Sequence, residues 1–314
     1  MINKISTLNM PHEEWLAERR KSIGGSDAGS VLGLNEYTSP YALWAEKTGK
    51  VIPEDISDKE SVRLGHDLEQ YVADRFEEET GKKLRRCNYI LRNDEYPFAH
   101  ADVDRLVVGE KAGFEAKTTS SWEILQQCRE GKFPDKFYAQ CTHYMMVTGL
   151  ERWYLGVLCF GHGFYWFTIE RDEDEIKALA SIEEDFWKHV TDKVPPAVDG
   201  SESTMEAIKG IYPESRTESI DLGAVEDSIL LYQAFSAQID ELTAEMNAQK
   251  AIIMEFMANA EKGTVGNYMI SYKTQTRKTF DRKFYEAENG PIHEKYFTES
   301  KSRPFKVTEK KEKK

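Results

Sequence analysis

The sequence predicts an α/β fold in which a mixed, twisted central sheet is flanked by helices. Short apolar segments typical of strands, such as 98–108 and 113–118, alternate with segments whose apolar residues recur at helical spacing, such as 61–80 and 135–148. The chain has 314 residues, of which 40% are hydrophobic. This is enough material for one large core and a smaller appended unit.

The predicted elements follow one another with short connections. A first helix at 11–20 leads through Gly24-Gly25 into a second helix at 28–32, which Ser26 or Asp27 is suited to cap. Helical spacing predicts further helices at 61–80, 135–148 and 173–190. Strands are predicted at 88–92, 98–108, 113–118, 152–158 and 164–169.

The best candidate for a domain boundary follows the last of these helices. Residues 192–200 contain Pro195-Pro196 and Gly200, so we predict a domain at 1–195, a linker at 196–216 and a C-terminal extension at 217–314. From 225 to 257 the extension has apolar residues at spacings of three and four, which predicts a long helix whose apolar seam must be covered by its own chain or by a partner. A small β element at 264–280 and a charged, solvated tail at 309–314 complete it.

Composition excludes several classes of protein. The four cysteines are scattered and form no Cys-x-x-Cys pair, which argues against zinc modules, iron–sulfur clusters and disulfide frameworks. The most apolar segment, 153–167, is interrupted by glycines and is too short to cross a membrane, and the N-terminus does not resemble a signal peptide. We therefore expect a cytoplasmic protein. The net charge of −13 disfavours nucleic acid as a partner, unless the acidic residues lie away from a basic groove or metals offset them.

The segment from Asp104 to Lys117 carries the clearest chemical pattern. Asp104 ends an apolar strand, and a turn then leads to Glu115-Ala116-Lys117 on a second strand. Because side chains alternate along a strand, Glu115 and Lys117 project from one face while Ala116 points into the core. The two carboxylates can then hold a hard divalent cation through oxygen ligands. The ammonium can orient or deprotonate a water beside that cation. This combination is suited to phosphodiester hydrolysis.

Four blocks of the chain, in order, resemble the YqaJ-type viral recombinase and lambda-exonuclease-like family of phage alkaline exonucleases, within the PD-(D/E)xK nuclease superfamily. They cover most of the region from Trp15 to about Val190. The C-terminal part also resembles an extension found on some phage members. The blocks are 19–27, 65–69, 102–105 with 115–117, and Gln140 with Tyr144.

The resemblance implies a restriction-endonuclease-like core with a divalent metal site. Asp104 and Glu115 would hold Mg²⁺, for which Mn²⁺ can substitute, with the backbone carbonyl of Ala116 as a further ligand. Glu69 would bind a second ion directly or through water, which makes two ions per site. Lys117 would position or activate the attacking water.

The resemblance also implies residues that contact the substrate. Gln140 would orient Lys117 or the DNA, and Tyr144 is a possible substrate contact. Arg19 and Ser26 would bind the 5′ phosphate of a DNA end, for which the planar guanidinium is well suited. Two histidines close to the metal ligands in sequence are poorer ligands for Mg²⁺, which prefers oxygen: His66 and His100.

Two of these assignments have a competitor in the sequence. Family members often have Pro-Asp-Gly at the first carboxylate, whereas this chain has Val103-Asp104-Arg105, so Asp102 competes with Asp104. By the period of two, both would lie on one strand face. Arg20 likewise competes with Arg19, which is favoured by its spacing to Ser26.

The function implied is metal-dependent degradation of linear double-stranded DNA from its ends, in the 5′ to 3′ direction, leaving 3′ single strands for recombination. Implied partners are DNA ends, a single-strand annealing protein and further copies of the chain in a ring, in a bacterial host cytoplasm if the chain is phage-encoded. The alternatives are an endonuclease or single-strand exonuclease with the same metal residues, and a non-catalytic DNA-end-binding or scaffold protein. Digestion of linear, circular and single-stranded DNA distinguishes them.

Overall fold

The computed structural model describes residues 1–53, 55–300 and 302–308 and divides them into two compact units, Met1–Pro213 and Glu214–Lys314. The charged tail predicted at 309–314 lies outside the described residues.

The first unit contains both strands and helices. Its strands are β1 (Ile2–Ser6), β2 (Leu84–Arg86), β3 (Tyr89–Asn93), β4 (Ala101–Asp102), β5 (Arg105–Val107), β6 (Ala112–Thr119), β7 (Arg152–Cys159) and β8 (Gly163–Glu170). Its helices are α1 (His12–Arg20), α2 (Gly25–Val31), α3 (Pro40–Lys47), α4 (Glu60–Thr80), α5 (Trp122–Arg129), α6 (Asp135–Thr148), α7 (Glu173–Asp192) and α8 (Glu202–Ile211).

The central sheet has five strands in the order β2-β5-β6-β7-β8. The pair β6–β7 is parallel, and the other neighbouring pairs are antiparallel. A parallel pair needs a crossover connection, which α5 and α6 supply here. The predicted α/β fold with a mixed sheet flanked by helices is therefore confirmed.

The two faces of β6 have different neighbours. Phe114 packs on one face against Phe76 of α4, with ring centroids 4.8 Å apart, in a cluster that includes Val72 and Tyr154. On the opposite face, Gln140 of α6 hydrogen-bonds to Glu115. The predicted alternation of side chains between the two faces of this strand is confirmed. The apolar side chains face α4, and the polar ones face α6.

The predicted continuous strand at 98–108 is wrong. Its first part, β4, pairs with β3 in a separate three-stranded sheet of order β1-β3-β4, whereas its second part, β5, pairs with β6 in the central sheet. The chain bends at Asp104 because the two parts take hydrogen-bond partners in different sheets. Asp102 and Asp104 consequently do not lie on one strand face.

The predicted linker at 196–216 needs a correction. Part of it forms α8, which belongs to the first unit because it packs against α3. Thr204 Oγ1 donates to Ser39 Oγ at 2.7 Å, and the Ser39 amide donates to Ser203 Oγ at 3.1 Å. The helix thus docks by hydrogen bonds at its start and by its apolar residues Ala207, Ile208 and Ile211, which pack into the main core.

The second unit contains the long helix predicted at 225–257, observed as α9 (Glu226–Met257), and a hairpin of β9 (Lys262–Val265) and β10 (Tyr268–Ser271). A short helix, α10 (Arg282–Asn289), follows. Apolar residues of α9 such as Phe235, Ile239 and Leu242 are exposed. No helix among the described residues is both long enough and apolar enough to span a bilayer.

The cluster beneath α4 supports the strand that carries Glu115. We expect Phe76→Ala to lower the free energy of unfolding by about 3–5 kcal/mol, because the side chain is fully buried and leaves a cavity. Tryptophan fluorescence during denaturant unfolding measures this, since all six tryptophans lie in the first unit. Tyr71→Ala on the exposed side of α4 is the control. Equal small losses for both variants would contradict the packing described here.

Candidate functional site

A cavity of about 330 Å³ is lined by residues of α1, α2, α6, β4 and the middle of β6, and of the segments next to them. Six of its lining residues are predicted site residues, and the other five include Asp102, the competitor of Asp104. The lining residues are Trp15, Arg19, Gly24, Gly25, Ser26, His100, Asp102, Asp104, Glu115, Gln140 and Tyr144. Residues from distant parts of the chain are thus brought to one place.

Glu115 is the most buried carboxylate of the cavity, with 3% of its surface exposed. Its Oε1 accepts hydrogen bonds from Lys117 Nζ and from Gln140 Nε2, both at 2.8 Å. Its Oε2 is buried without any hydrogen-bond partner among the described residues. A buried carboxylate oxygen without a partner is costly, so this atom is suited to bind a ligand.

Asp104 lies next to Glu115, at the bend between β4 and β5. Its Oδ2 accepts a hydrogen bond from the Ala116 amide at 3.3 Å. Burial raises the pKa of Asp104 well above its ordinary value, and the nearby charges of Glu115 and Glu69 raise it further, while Lys117 opposes them. Two carboxylates that repel each other in a buried place are a typical cation site.

Lys117 supplies the positive charge beside this pair. Burial lowers its pKa, but the charge and hydrogen bond of Glu115 and the charge of Asp104 outweigh burial, so the net pKa is raised. The ammonium also lies 5.4 Å from the centre of the Phe137 ring. Lys117 therefore remains charged at neutral pH, which suits it to orient a water rather than to deprotonate it.

Gln140 and Tyr144 lie one turn apart on α6 and form a short hydrogen-bond chain. Gln140 Nε2 donates to Glu115 Oε1 and also contacts Tyr144 Oη at 2.9 Å, and Tyr144 Oη donates to the carbonyl of Asp102 at 3.1 Å. Burial, and then the charges of Glu115 and Asp104, raise the pKa of Tyr144 well above its ordinary value, so the hydroxyl stays neutral. Gly25 makes room for the ring, because a Cβ at Gly25 would lie 2.4 Å from Tyr144 Cε1.

Glu69 is placed differently from the other predicted ligands. Its Oε1 forms an ion pair with Nη2 of the buried Arg105 at 2.8 Å, and it is not among the residues that line the cavity. Its charge nevertheless contributes to the raised pKa of Asp104, so it lies close to the site. Its role as a ligand of a second ion stays a prediction.

The other end of the cavity carries Arg19 and Ser26. Arg19 Nη2 donates to Ser26 Oγ at 2.8 Å, and its guanidinium lies 4.4 Å from the centre of the Trp15 ring. Trp15 in turn donates from Nε1 to Asp102 Oδ2 at 2.7 Å. Arg20 is exposed and does not line the cavity.

The cap predicted for the second helix needs a correction. Neither Ser26 nor Asp27 is the N-cap of α2, which starts at Gly25 with Gly24 before it. Asp27 lies inside the first turn, where its Oδ2 accepts a hydrogen bond from the Gly24 amide at 2.9 Å and pairs with Lys47 at 2.6 Å. Ser26 is thereby free of a capping role and points toward Arg19.

The sequence predicts no role for Trp15 or Arg105, and it presents His100 only as a poor ligand for Mg²⁺. Trp15 stacks on Arg19, Arg105 holds Glu69, and His100 lines the cavity. For Trp15, the helical spacing to Arg19 was an available signal. For the other two, the partners lie far away in sequence and no local pattern indicates them.

The donor set fits one hard divalent cation. Among the described residues, no group of three or more His, Cys, Asp or Glu side chains is arranged to hold a metal. Two carboxylates, Asp104 and Glu115, are nevertheless a sufficient protein contribution for Mg²⁺, which retains several waters and binds substrate phosphate. The carbonyl of Ala116, between Glu115 and Lys117, is a further candidate ligand.

The crowding of charge around Asp104 predicts a stability effect. Its pKa is higher in the folded than in the unfolded chain, so the folded chain binds more protons and loses stability as pH rises from the unfolded toward the folded pKa. In metal-free buffer at neutral pH we expect Asp104→Asn to be more stable than the wild type, with the difference shrinking as pH falls. Chemical denaturation at several pH values measures this, with the exposed Asp58→Asn as control. A destabilised Asn variant at neutral pH would contradict the assignment.

Comparison with known proteins agrees with the resemblance noted in the sequence. Residues 14–151 match the YqaJ-like viral recombinase domain. Over 308 residues the chain is 39% identical to the YqaJ protein of Bacillus subtilis (strain 168), covering 96% of this chain and 95% of that protein.

Solved structures similar to this chain include an alkaline exonuclease, LHK-Exo, from Laribacter hongkongensis, with a TM-score of 0.49 and 19% identity, covering 58% of this chain and 93% of that one. A phage-related exonuclease from Haemophilus somnus 129PT has a TM-score of 0.37 and 14% identity, covering 55% and 96%. From its match to the YqaJ protein along nearly its full length, the chain belongs to the YqaJ-like viral recombinase family.

Proposed function

We propose that this protein is a metal-dependent exonuclease that degrades linear double-stranded DNA from its ends. The observation that carries the proposal is the single cavity that joins the Asp104–Glu115 pair to Arg19 and Ser26. A cation site for hydrolysis and a basic group for an end phosphate then lie within one nucleotide-sized space. Such an arrangement favours cutting next to an end over cutting within a duplex.

Asp104, Glu115 and the Ala116 carbonyl would hold Mg²⁺, or Mn²⁺ in its place. Bound there, the ion would polarise the scissile phosphate and lower the pKa of a bound water. The buried Glu115 Oε2 and the raised pKa of Asp104 support this assignment, because a cation would satisfy the first and relieve the repulsion behind the second.

The proposed second ion depends on Glu69. Arg105 contacts Oε1 of Glu69, so a second ion would use the other oxygen or bind through water. Arg105 would then act as a positioning residue, because its buried guanidinium fixes where the carboxylate points.

Lys117 and Gln140 have complementary roles in the proposed reaction. The charged ammonium of Lys117 would hold the attacking water and stabilise negative charge that develops on the phosphate. Gln140 would keep Glu115 in place, since both side-chain donors converge on Oε1 and leave Oε2 directed elsewhere. Tyr144 would act through Gln140 and the Asp102 carbonyl rather than by direct contact with the substrate.

Arg19 and Ser26 would bind a 5′ phosphate, so that hydrolysis releases 5′-phosphorylated nucleotides in the 5′ to 3′ direction. The Trp15 ring under the guanidinium and the Ser26 hydroxyl beside it hold Arg19 in one orientation, which favours phosphate recognition. The strand left behind would carry a 3′ single-stranded end for recombination.

We further propose that copies of the chain assemble around DNA and that a single-strand annealing protein receives the product. The net charge of −13 is unfavourable for DNA binding by an open surface. A ring with an acidic exterior and a basic channel would resolve this conflict. The exposed apolar residues of α9 are available for such assembly or for the annealing protein.

The proposal predicts a strict dependence on free duplex ends. With Mg²⁺, we expect digestion of linear duplex DNA, little digestion of closed circles and slower digestion of single strands, because a closed circle presents no terminal phosphate to Arg19 and Ser26. Gel analysis of the three substrates measures this. Efficient nicking of circles would show an endonuclease instead.

The same assay tests the catalytic residues. Glu115→Ala should reduce digestion of linear duplex at least about 100-fold, since it removes the central carboxylate. It should still bind DNA ends. Glu110→Ala, a neighbouring exposed carboxylate, is the matched control and should retain activity. Equal digestion by the Glu115→Ala variant would refute the assignment of the site.

The phosphate end of the cavity makes a separate prediction. Arg19→Gln should reduce the preference for 5′-phosphorylated over 5′-hydroxyl duplex by about 10-fold to 100-fold, the range expected for a lost charge-assisted hydrogen bond. Initial rates on the two substrates give this ratio. Arg20→Gln, which changes the adjacent exposed arginine, should leave the ratio unchanged. If Arg20→Gln lowers the ratio and Arg19→Gln leaves it unchanged, the 5′ phosphate is bound by Arg20 instead.

A further inference from the structure

His100 is a buried polar residue of the cavity that the proposed reaction does not use. It is 0% exposed and lines the cavity together with Arg19, Gly24 and Ser26. Its Nδ1 lies 2.9 Å from Ser22 Oγ, and its Nε2 has no hydrogen-bond partner among the described residues. A buried ring nitrogen without a partner at the wall of a cavity indicates a ligand contact that the protein alone does not complete.

The contact with Ser22 favours one tautomer of the His100 ring. For the Ser22 hydroxyl, the described residues offer one hydrogen-bonding neighbour, His100 Nδ1. The hydroxyl is satisfied as a donor when it donates to Nδ1, which places the ring proton on Nε2. Burial lowers the pKa of His100 to about 3, and the charges of Lys47, His143 and Arg19 act in the same direction against that of Asp27, so the ring is neutral. His100 thus presents one N–H at Nε2.

Gly24, which also lines the cavity, leaves space beside this buried N–H. A Cβ at position 24 would lie 2.9 Å from His100 Nε2 and 3.0 Å from Cε1, closer than side chains tolerate. The φ angle of Gly24 is −97°, which any residue can adopt, so the backbone does not require glycine here. Glycine is required because the narrow space beside the His100 ring has no room for a Cβ.

The position of His100 is also held from behind. Its backbone carbonyl accepts a hydrogen bond from His143 Nε2 at 2.8 Å, and His143 Nδ1 faces the buried Glu183 at 2.8 Å. The His100 amide donates to the Ile23 carbonyl at 2.8 Å. A residue held by its ring, its amide and its carbonyl is arranged to point one atom in a fixed direction.

We propose that His100 Nε2–H is a third donor, beside Arg19 and Ser26, to the terminal 5′ phosphate of a DNA end. This inference rests on the proposed function, because it assumes that the cavity receives such a phosphate. Phosphate oxygens only accept hydrogen bonds, so they match a neutral N–H donor. The nearby Asp27 is paired with Lys47 at 2.6 Å, which reduces its repulsion of an anion.

Binding of DNA ends tests the inference without requiring digestion. All variants carry Glu115→Ala, so that the DNA is not digested. The ligands are hairpin duplexes with one blunt end, which bears either a 5′ phosphate or a 5′ hydroxyl. Fluorescence anisotropy gives the Kd of each hairpin. His100→Asn keeps an amide near the Nδ1 position but has no group at Nε2. It should reduce the preference for phosphate by about 10-fold and change the Kd of the hydroxyl end by less than about twofold.

His100→Gln is the matched variant, since its amide nitrogen reaches the Nε2 position and should retain most of the preference. An unchanged preference in His100→Asn, or an equal loss for both ends, would overturn the inference. If His100→Asn does not fold, Gly24→Ala should produce the same selective loss by covering Nε2, and a retained preference there would overturn the inference too.

The test separates this inference from the proposed function. If the Glu115→Ala variant shows no preference for phosphorylated ends, the proposed recognition of the end phosphate by Arg19 and Ser26 is refuted. The proposed role of His100 is then refuted with it. If Arg19→Gln loses the preference and His100→Asn keeps it, only the role of His100 is refuted.

Discussion

The buried carboxylate of Glu115 is the constraint on which the whole site depends. Glu115 lies in a strand that is paired on both sides, and only 3% of its surface is exposed. Water therefore cannot solvate its charge. Two donors, Lys117 and Gln140, satisfy Oε1, and nothing among the described residues satisfies Oε2. The protein therefore stabilises one oxygen of this carboxylate and leaves the other one available to the proposed cation. A site built for stability alone would have no reason for such an arrangement.

The bend between β4 and β5 gives two acidic residues different surroundings. Asp102 stays with the three-stranded sheet and accepts a hydrogen bond from Trp15, while Asp104 turns toward Glu115. One carboxylate thus supports the residue that stacks on Arg19, and the other contributes to the proposed cation site. The change of sheet partner within a few residues is what allows both ends of the cavity to be built from one segment.

The sequence was informative where the pattern was local. Period-two alternation placed Glu115 and Lys117 on one face of β6, and helical spacing placed Gln140 and Tyr144 one turn apart on α6. Sequence periodicity could not separate Asp102 from Asp104, because the change of hydrogen-bond partners between two sheets has no signal in the order of residues. The ion pair of Glu69 with Arg105 and the place of His100 beside Gly24 also depend on contacts between distant segments. Such contacts require the tertiary structure.

Helix α6 relates the two ends of the cavity to each other. Gln140 contacts Glu115 at the proposed cation end, whereas His143 and Tyr144 donate to the carbonyls of His100 and Asp102 toward the proposed phosphate end. All three side chains belong to adjacent turns of one buried helix, so the spacing between the ends is set by helix geometry rather than by loops. The proposed reaction, in which an end phosphate is held and the strand is cut nearby, would need this distance to be constant. A rigid helix spanning both ends meets that need, because a shift of α6 would move the two groups of contacts together.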